Sequence, residues 1–396
     1  MEVLMCLLAT VFTLIFPIIA LPLNIIGMIF TNNRSRKYFG FLAAFSLAMI
    51  AFVWIPDTTM DLYRHQQQLR LFTGLNWGQM ANLVKSNLEP LQYLVKFFVA
   101  QTGSNNLLQF LVILCGYAEL FWIVSDYCEM RNVRRSVFGI AMMFVLSGVR
   151  FIDFASGLWC NLAIINLALG LHLNYFRKTK WIQYVFYAVA ACLHAGTMYV
   201  VALALLLNKV RVFRKPRAIN LIMLSAAILS FGGIVMLLNN VFGSGVTIVS
   251  MLNRMYDSYF VRGGQFDSLH TGWNLVFAVI NMALAFILGV WGCRKAKAGN
   301  EYCSFVMYMS VGILATTITA GVFIRYSFLL VILMTPLLVD YFMVVRSRRA
   351  KAFFLAFVSI LIVAQLSRSV AQMHSAELTG QVGANVANSA VSIMES

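Results

Sequence analysis

Charge is scarce in this chain: of 396 residues only 11% are Asp, Glu, Lys or Arg, whereas 61% are hydrophobic. A soluble domain carries about 25% charged residues, so a soluble globular fold is excluded. Acids are scarcer still, 14 against 30 Lys and Arg, which leaves a formal charge of +16. Such an excess suits nucleic acid, anionic lipid or simple membrane topology, and only the positions of the charges separate these. Paired cysteine spacing is missing as well. The seven cysteines, at positions 6, 115, 128, 160, 192, 293 and 303, lie mostly inside apolar runs, where Cys behaves as a small hydrophobe. Neither a disulfide framework nor a zinc site is expected. There is no internal repeat, no Gly/Pro/Ser-rich linker and no separate soluble domain. P-loop, GxGxxG, GxSxG and HExxH patterns are also lacking, which leaves ATP-driven transport and serine or zinc hydrolysis without support. No cofactor and no metal are expected.

Long apolar runs are what the chain has. Segments suited to crossing ~30 Å of hydrocarbon run over 3–30, 38–56, 106–127, 136–149, 157–176, 181–208, 218–240, 273–293, 302–322, 327–345 and 352–372. The first is too long for a signal-peptide core and has no basic stretch ahead of it, so it is expected to stay as a membrane span. In lipid every backbone polar group needs an internal partner, so these spans are helices; a barrel would need short alternating segments, which are not there. The expected fold class is all-α, a polytopic membrane protein.

Basic clusters separate many of the spans: Arg34, Arg36, Lys37; Arg131, Arg134, Arg135; Arg177, Lys178, Lys180; Lys209, Arg211, Arg214, Lys215, Arg217; Arg294, Lys295, Lys297; and Arg346, Arg348, Arg349, Lys351. They hold 21 of the 30 cations, and loops rich in Lys and Arg face the cytoplasm. Two segments then become informative. The run 181–208 lies between two basic clusters, so it crosses twice or not at all; a hairpin of two short helices bent near His194-Ala195-Gly196 fits, each half reaching only ~20 Å. His194 would sit below the outer surface. Pro90 to Gln101 is too short to span and is read as a re-entrant or interfacial helix on the outer face.

The expected organisation is one transmembrane domain, 1–372, with about 12 crossings, outer loops 57–105 and 241–272, and a mobile polar tail, 373–396. The other nine cations, Arg64, Arg70, Lys85, Lys96, Arg150, Arg254, Arg262, Arg325 and Arg368, all fall outside or near outer helix ends, where nine acids match them. The +16 is therefore a topology signal, and no nucleic-acid partner is expected.

Ionisable groups at or below the interface are costly and are functional candidates, although snorkelling and structural pairing also place them there. Arg150 ends a span in Ser147-Gly148-Val149-Arg150, and Arg325 begins one in Phe323-Ile324-Arg325-Tyr326. With His194 they could converge on one anionic group, and guanidinium forks bind phosphate bidentately; anchoring of each Arg at headgroups is the alternative. After the second span comes Pro56-Asp57-Thr58-Thr59-Met60-Asp61-Leu62-Tyr63-Arg64-His65. If helical, it places Asp57, Asp61 and His65 on one face, where a carboxylate could deprotonate a sugar hydroxyl; Asp57 as a helix cap is the alternative. Glu89-Pro90 opens the short helix, either as another carboxylate of the site or as a helix-start acid. The loop 241–272 interleaves Arg254, Tyr256, Asp257, Tyr259, Arg262, Asp267, His270 and Trp273, a mixture suited to stacking on sugar rings and bonding hydroxyls. Tyr63 and Arg64 join Arg254, Tyr256, Asp257, Arg262 and His270 as candidate glycan contacts.

In order and spacing these elements resemble the Wzy-type polysaccharide polymerases, specifically the EpsG-like branch, over most of the chain. The resemblance rests on Pro56-Asp57 with Asp61-x-Tyr63, Glu89-Pro90-Leu91, Gly148-Val149-Arg150-Phe151, His194-Ala195-Gly196 and Arg325-Tyr326. The chain departs from the family at Ala195-Gly196, where a hydroxyl more often follows the His. The resemblance implies a GT-C-like membrane glycosyltransferase on the outer, periplasmic face of the bacterial cytoplasmic membrane. It would move a growing glycan from undecaprenyl diphosphate to the non-reducing end of another lipid-linked repeat unit, building O-antigen, capsule or exopolysaccharide without nucleotide. Arg150, Arg325 and His194 would hold the diphosphate, and Asp61 first, then Asp57 or Glu89, would activate the acceptor hydroxyl. The lipid bilayer, a chain-length regulator and a flippase are the implied partners. Two other classes stay open: a lipid-linked oligosaccharide flippase or other secondary transporter, although no repeat is evident, and a membrane O-acyltransferase acting on the same glycans.

Overall fold

A computed structural model describes residues 2–58, 60–209, 220, 272–314 and 320–395. Helix dominates, and there is no strand among the described residues. Six helices are long and apolar enough to cross a membrane: Asn33–Val53, Leu107–Met130, Leu158–Arg177, Gly272–Lys295, Ile324–Val344 and Arg348–Ser375. The protein is an all-α, polytopic membrane protein by that measure. Of the other expected spans, 218–240 lies outside the described residues except Asn220, and several of the rest form shorter apolar helices.

The first expected span, 3–30, is two helices of 14 residues each, α1 (Glu2–Ile15) and α2 (Pro17–Phe30). Pro17 takes the first position of α2, where its missing N–H costs nothing. There the chain turns back on itself. Asn24 Nδ2 donates to Thr13 Oγ1 at 3.0 Å across eleven residues, a separation of ~16 Å along a continuous helix. Each half is ~21 Å long, short of ~30 Å of hydrocarbon, so the expectation of a single crossing gives way to a bent pair.

The chain divides into two compact units, residues 1–198 with 345–396, and residues 199–344. In the first, α3 (Asn33–Val53) packs beside α2 and α7 (Leu107–Met130), and α10 (Leu158–His172, continued by a π turn over Leu173–Arg177) packs on α7 and α11 (Ile182–Leu193). Gly170 lets α10 and α11 approach: a Cβ there would lie 2.6 Å from the Tyr187 ring. Short helices α4 (Asp61–Leu69), α5 (Trp77–Ser86), α6 (Pro90–Thr102), α8 (Arg135–Gly148) and α9 (Phe151–Ser156) complete this part. The ends of α3, α7 and α10 that carry basic clusters are tied together at Asp126, which is fully buried. Its oxygens take Arg177 Nε at 2.8 Å and Nη2 at 2.6 Å, His172 Nε2 at 2.9 Å and Lys37 Nζ at 3.2 Å.

In the second unit α12 (Met198–Lys209, from Tyr199 on) is followed, beyond undescribed residues, by α13 (Gly272–Lys295), α14 (Asn300–Leu314) and α15 (Ala320–Val344), which pack on one another. The chain re-enters the first unit with α16 (Arg348–Ser375), whose most apolar stretch is only 17% buried and presents Phe353, Ile360 and Val363 outward, as a lipid-facing helix does. The stretch from 373, expected as a mobile tail, forms α17 (Leu378–Asn385) and α18 (Ala390–Glu395). It docks on the end of α3: Trp54 Nε1 donates to Ala376 O at 3.3 Å, and the Ile55 N–H donates to Gln381 Oε1 at 2.8 Å.

Candidate functional site

The site begins with two helix ends. Pro90 opens α6 and leaves Glu89 immediately ahead of it, while α11 stops at His194, whose backbone is extended (φ −153°, ψ 111°). A short 3₁₀ turn, Ala195–Thr197, follows before α12. The break falls at the expected residues, and α11 and α12 are 12 residues long each. A helical segment that starts leaves its first backbone N–H groups in need of acceptors, and the turn leading into α12 starts at Ala195. Glu89 supplies one: the Ala195 N–H donates to Glu89 Oε1 at 3.0 Å, across 106 residues of sequence. His194 Nδ1 lies 3.0 Å from the same oxygen. A carboxylate at that distance keeps the proton on Nδ1 and turns Nε2, on the far side of the ring, into the basic atom. The two side chains stay partly open, Glu89 27% and His194 21% exposed.

Burial opposes the Glu89 charge, but the bonds from His194 and Ala195 outweigh it and hold the carboxyl below its ordinary pKa. On the next turn of α6, Gln92 Nε2 donates to Glu89 Oε2, and Gln92 Oε1 accepts from Lys96 Nζ at 3.2 Å. Positions 89, 92 and 96 share one helix face. Lys96 is 4% exposed, and its Nζ also donates to Gln68 Oε1 of α4 at 2.7 Å. Burial lowers the Lys96 pKa to about 8, partly offset by Glu89. His65 of α4 is pushed down to about 4, by burial first and Lys96 second.

Arg150 ends the turn between α8 and α9 and is 8% exposed. It pairs with Asp153, which accepts Gln372 Nε2 of α16 at Oδ1, 3.0 Å. Tyr117 of α7 fixes the backbone beside it, its hydroxyl donating to Val149 O at 3.0 Å. A buried guanidinium on a clamped turn is a preorganised anion contact.

The face expected to carry Asp57, Asp61 and His65 is not formed. Helix α4 begins only at Asp61, so Asp57 lies ahead of it, exposed, in an irregular stretch. Asp61 is paired with Arg64, as a first-turn acid often is. Tyr63 is half-buried and Arg64 exposed on the same helix. Arg325 belongs to the second unit, half-buried on α15 rather than at its start. Arg254, Tyr256, Asp257, Arg262 and His270, with the rest of 241–271, lie outside the described residues. No group of three His, Cys, Asp or Glu suited to a metal occurs among the described residues.

Sequence reasoning missed Gln68, Gln92, Lys96 as more than an outer charge, and Trp159. A usable signal was present: a lysine in the middle of a twelve-residue apolar stretch, seven positions after Glu89. Compared with known proteins, the chain matches no family model, no curated protein and no solved structure.

Proposed function

We propose that the chain is a bacterial membrane glycosyltransferase of GT-C-like type that polymerises undecaprenyl-diphosphate-linked repeat units into O-antigen, capsule or exopolysaccharide on the outer face of the cytoplasmic membrane. What supports this reading is the meeting of Glu89-Pro90 with His194-Ala195-Gly196, two of the elements on which the resemblance rests, at 3.0 Å between Glu89 and His194. In the reaction an acceptor hydroxyl oxygen bonds to the anomeric carbon of the donor sugar, and the bond from that carbon to the diphosphate breaks. The hydroxyl proton passes to His194 Nε2, oriented and stabilised as it becomes imidazolium by Glu89. Glu89 therefore positions the base, and replaces Asp61 as the first carboxylate of the mechanism. The diphosphate leaves with its charge met by Arg150. A flippase delivering the repeat units and a chain-length regulator are the expected partners.

The test is purified full-length protein incubated with a defined lipid-linked repeat unit and no nucleotide. A ladder of products, lost in His194→Ala, is expected. A single mass increment only in the presence of an acyl donor would turn the reading to O-acyl transfer, and unchanged substrate under all conditions would overturn it.

A further inference from the structure

Lys96 is built unlike an ordinary buried cation. A buried charge is normally paired with an opposite charge, yet among the described residues no carboxylate lies within ion-pair distance of its Nζ, and its two acceptors are the neutral amides of Gln92 and Gln68. Glu89 acts on it through space only. Two of its three N–H donors are used. The ammonium also lies 5.7 Å from the centroids of Tyr93 and Trp159. Trp159, at 3% exposure, has an indole Nε1 with no hydrogen-bond partner. His65 stands edge-on to the same indole at 6.3 Å, and its buried Nδ1 is also without a partner. Buried polar atoms are almost always satisfied, and each exception calls for a reason. Here three nitrogen groups from α4, α6 and α10 surround one place, and one of them, the Trp159 N–H, is a donor with nothing to donate to.

We propose that Lys96, Trp159 and His65 form an oxyanion-binding subsite beside the Glu89–His194 pair, taking one carboxylate or phosphate group of the ligand. The exposed Gln68 amide covers Lys96, and its Oε1 occupies the position the ligand oxygen takes. On binding, Gln68 swings out, Nζ and the Trp159 N–H donate to the anion, and the neutral His65 ring closes the third side. Charge-assisted bonds of this kind are about twice as strong as neutral ones, so exchange of an amide oxygen for an oxyanion is favourable. The inference deepens the proposed function: on that reading the anion is either the acidic group of a sugar in the repeat unit or a phosphate of the lipid carrier.

Equilibrium binding by full-length protein in detergent tests it without turnover, so its failure is separate from failure of the polymerase reading. Two probes are titrated calorimetrically, glucuronic acid against glucose, and undecaprenyl diphosphate against undecaprenol. Preference for the charged member of either pair, weakened about tenfold or more in Lys96→Met and less in Trp159→Phe, supports the subsite. The pair that responds identifies the source of the anion. Gln68→Ala should tighten the same binding by removing the competing amide. Equal binding of charged and neutral probes, or charge preference unchanged in both Lys96→Met and Trp159→Phe, overturns the proposal and leaves Lys96 a structural counter-charge to Glu89. Trp159→Phe removes the N–H while keeping an aromatic ring and much of the apolar packing, so the test stands even if Lys96→Met fails to fold.

Discussion

Two carboxylate–histidine pairs occupy the first unit of this molecule. At the end bearing the basic clusters, Asp126 and His172 are 0% and 1% exposed in their side chains, and Lys37 and Arg177 fill the remaining oxygen positions. Near the break between α11 and α12, Glu89 and His194 are 27% and 21% exposed, and the cation behind them, Lys96, is hydrogen-bonded to neutral amides. Both pairs join helices far apart in sequence. In the first, both Asp126 oxygens are bonded and shut off from solvent, although His172 Nδ1 has no partner; what it does is fix α3, α7 and α10 against one another. The second is partly open to solvent, the setting in which binding and catalytic groups differ from structural ones. Chemical identity of the residues does not separate the two pairs. Their exposure to solvent does.

Exchanging the two histidines gives the sharpest test of that contrast. His194→Ala should lower polymer formation by about 10²–10⁴-fold, the usual weight of a general base, with the melting temperature in detergent nearly unchanged. His172→Ala should do the reverse, and equal loss of activity in both at equal stability would erase the distinction. Next in size, Asp126→Asn should lower unfolding stability toward the lower end of the ~3–5 kcal/mol seen when a buried pair is broken, because Lys37 and Arg177 are 29% and 41% exposed and can turn to water. Thermal unfolding measured beside Glu89→Gln, which should fold normally and lose activity by at least ~10-fold, checks it.

The pH dependence of stability separates the pairs further. With its folded pKa depressed, Glu89 contributes stability that is full above its unfolded value near 4.5 and is lost as the pH falls through the lower folded value. Glu89→Gln should flatten that acid limb of the unfolding curve. Lys96 has the opposite sense. Between its folded value of about 8 and its ordinary 10.5 the unfolded chain binds the proton that the folded one has released, so stability rises with pH across that window. Lys96→Met should remove the rise. The smallest expected effect is in Asp61→Asn, whose activity should stay within about twofold because its partner Arg64 is more than half exposed and their pairing is a surface interaction. A large loss there would restore Asp61 as the base.

Much of the fold is legible in composition. Apolar length predicts α3, α7, α10, α13 and α16 within a few residues, because burial in lipid leaves the backbone few alternatives to helix. The reversal at Phe16–Pro17 was not legible, since a continuous run of 28 apolar residues looks the same whether it crosses once or folds back; a proline at a first helical position is the only trace. The docking of α17 and α18 on α3 was missed for the converse reason. Small polar residues there give little hydrophobic pattern, and the contacts with Trp54 and Ile55 span 322 and 326 residues.

By itself the sequence determined that the chain lies in a membrane, which loops carry the excess positive charge, and that Glu89, Arg150 and His194 belong among the candidates, because each of these follows from local composition and from the cost of charge near lipid. Only the tertiary structure decided that Glu89 rather than Asp57 or Asp61 meets His194, and that Lys96 and Trp159 stand behind the pair. A carboxylate's role depends on the groups within hydrogen-bond reach of it, and residues 106 positions apart in the chain come within 3.0 Å only once the helices have packed.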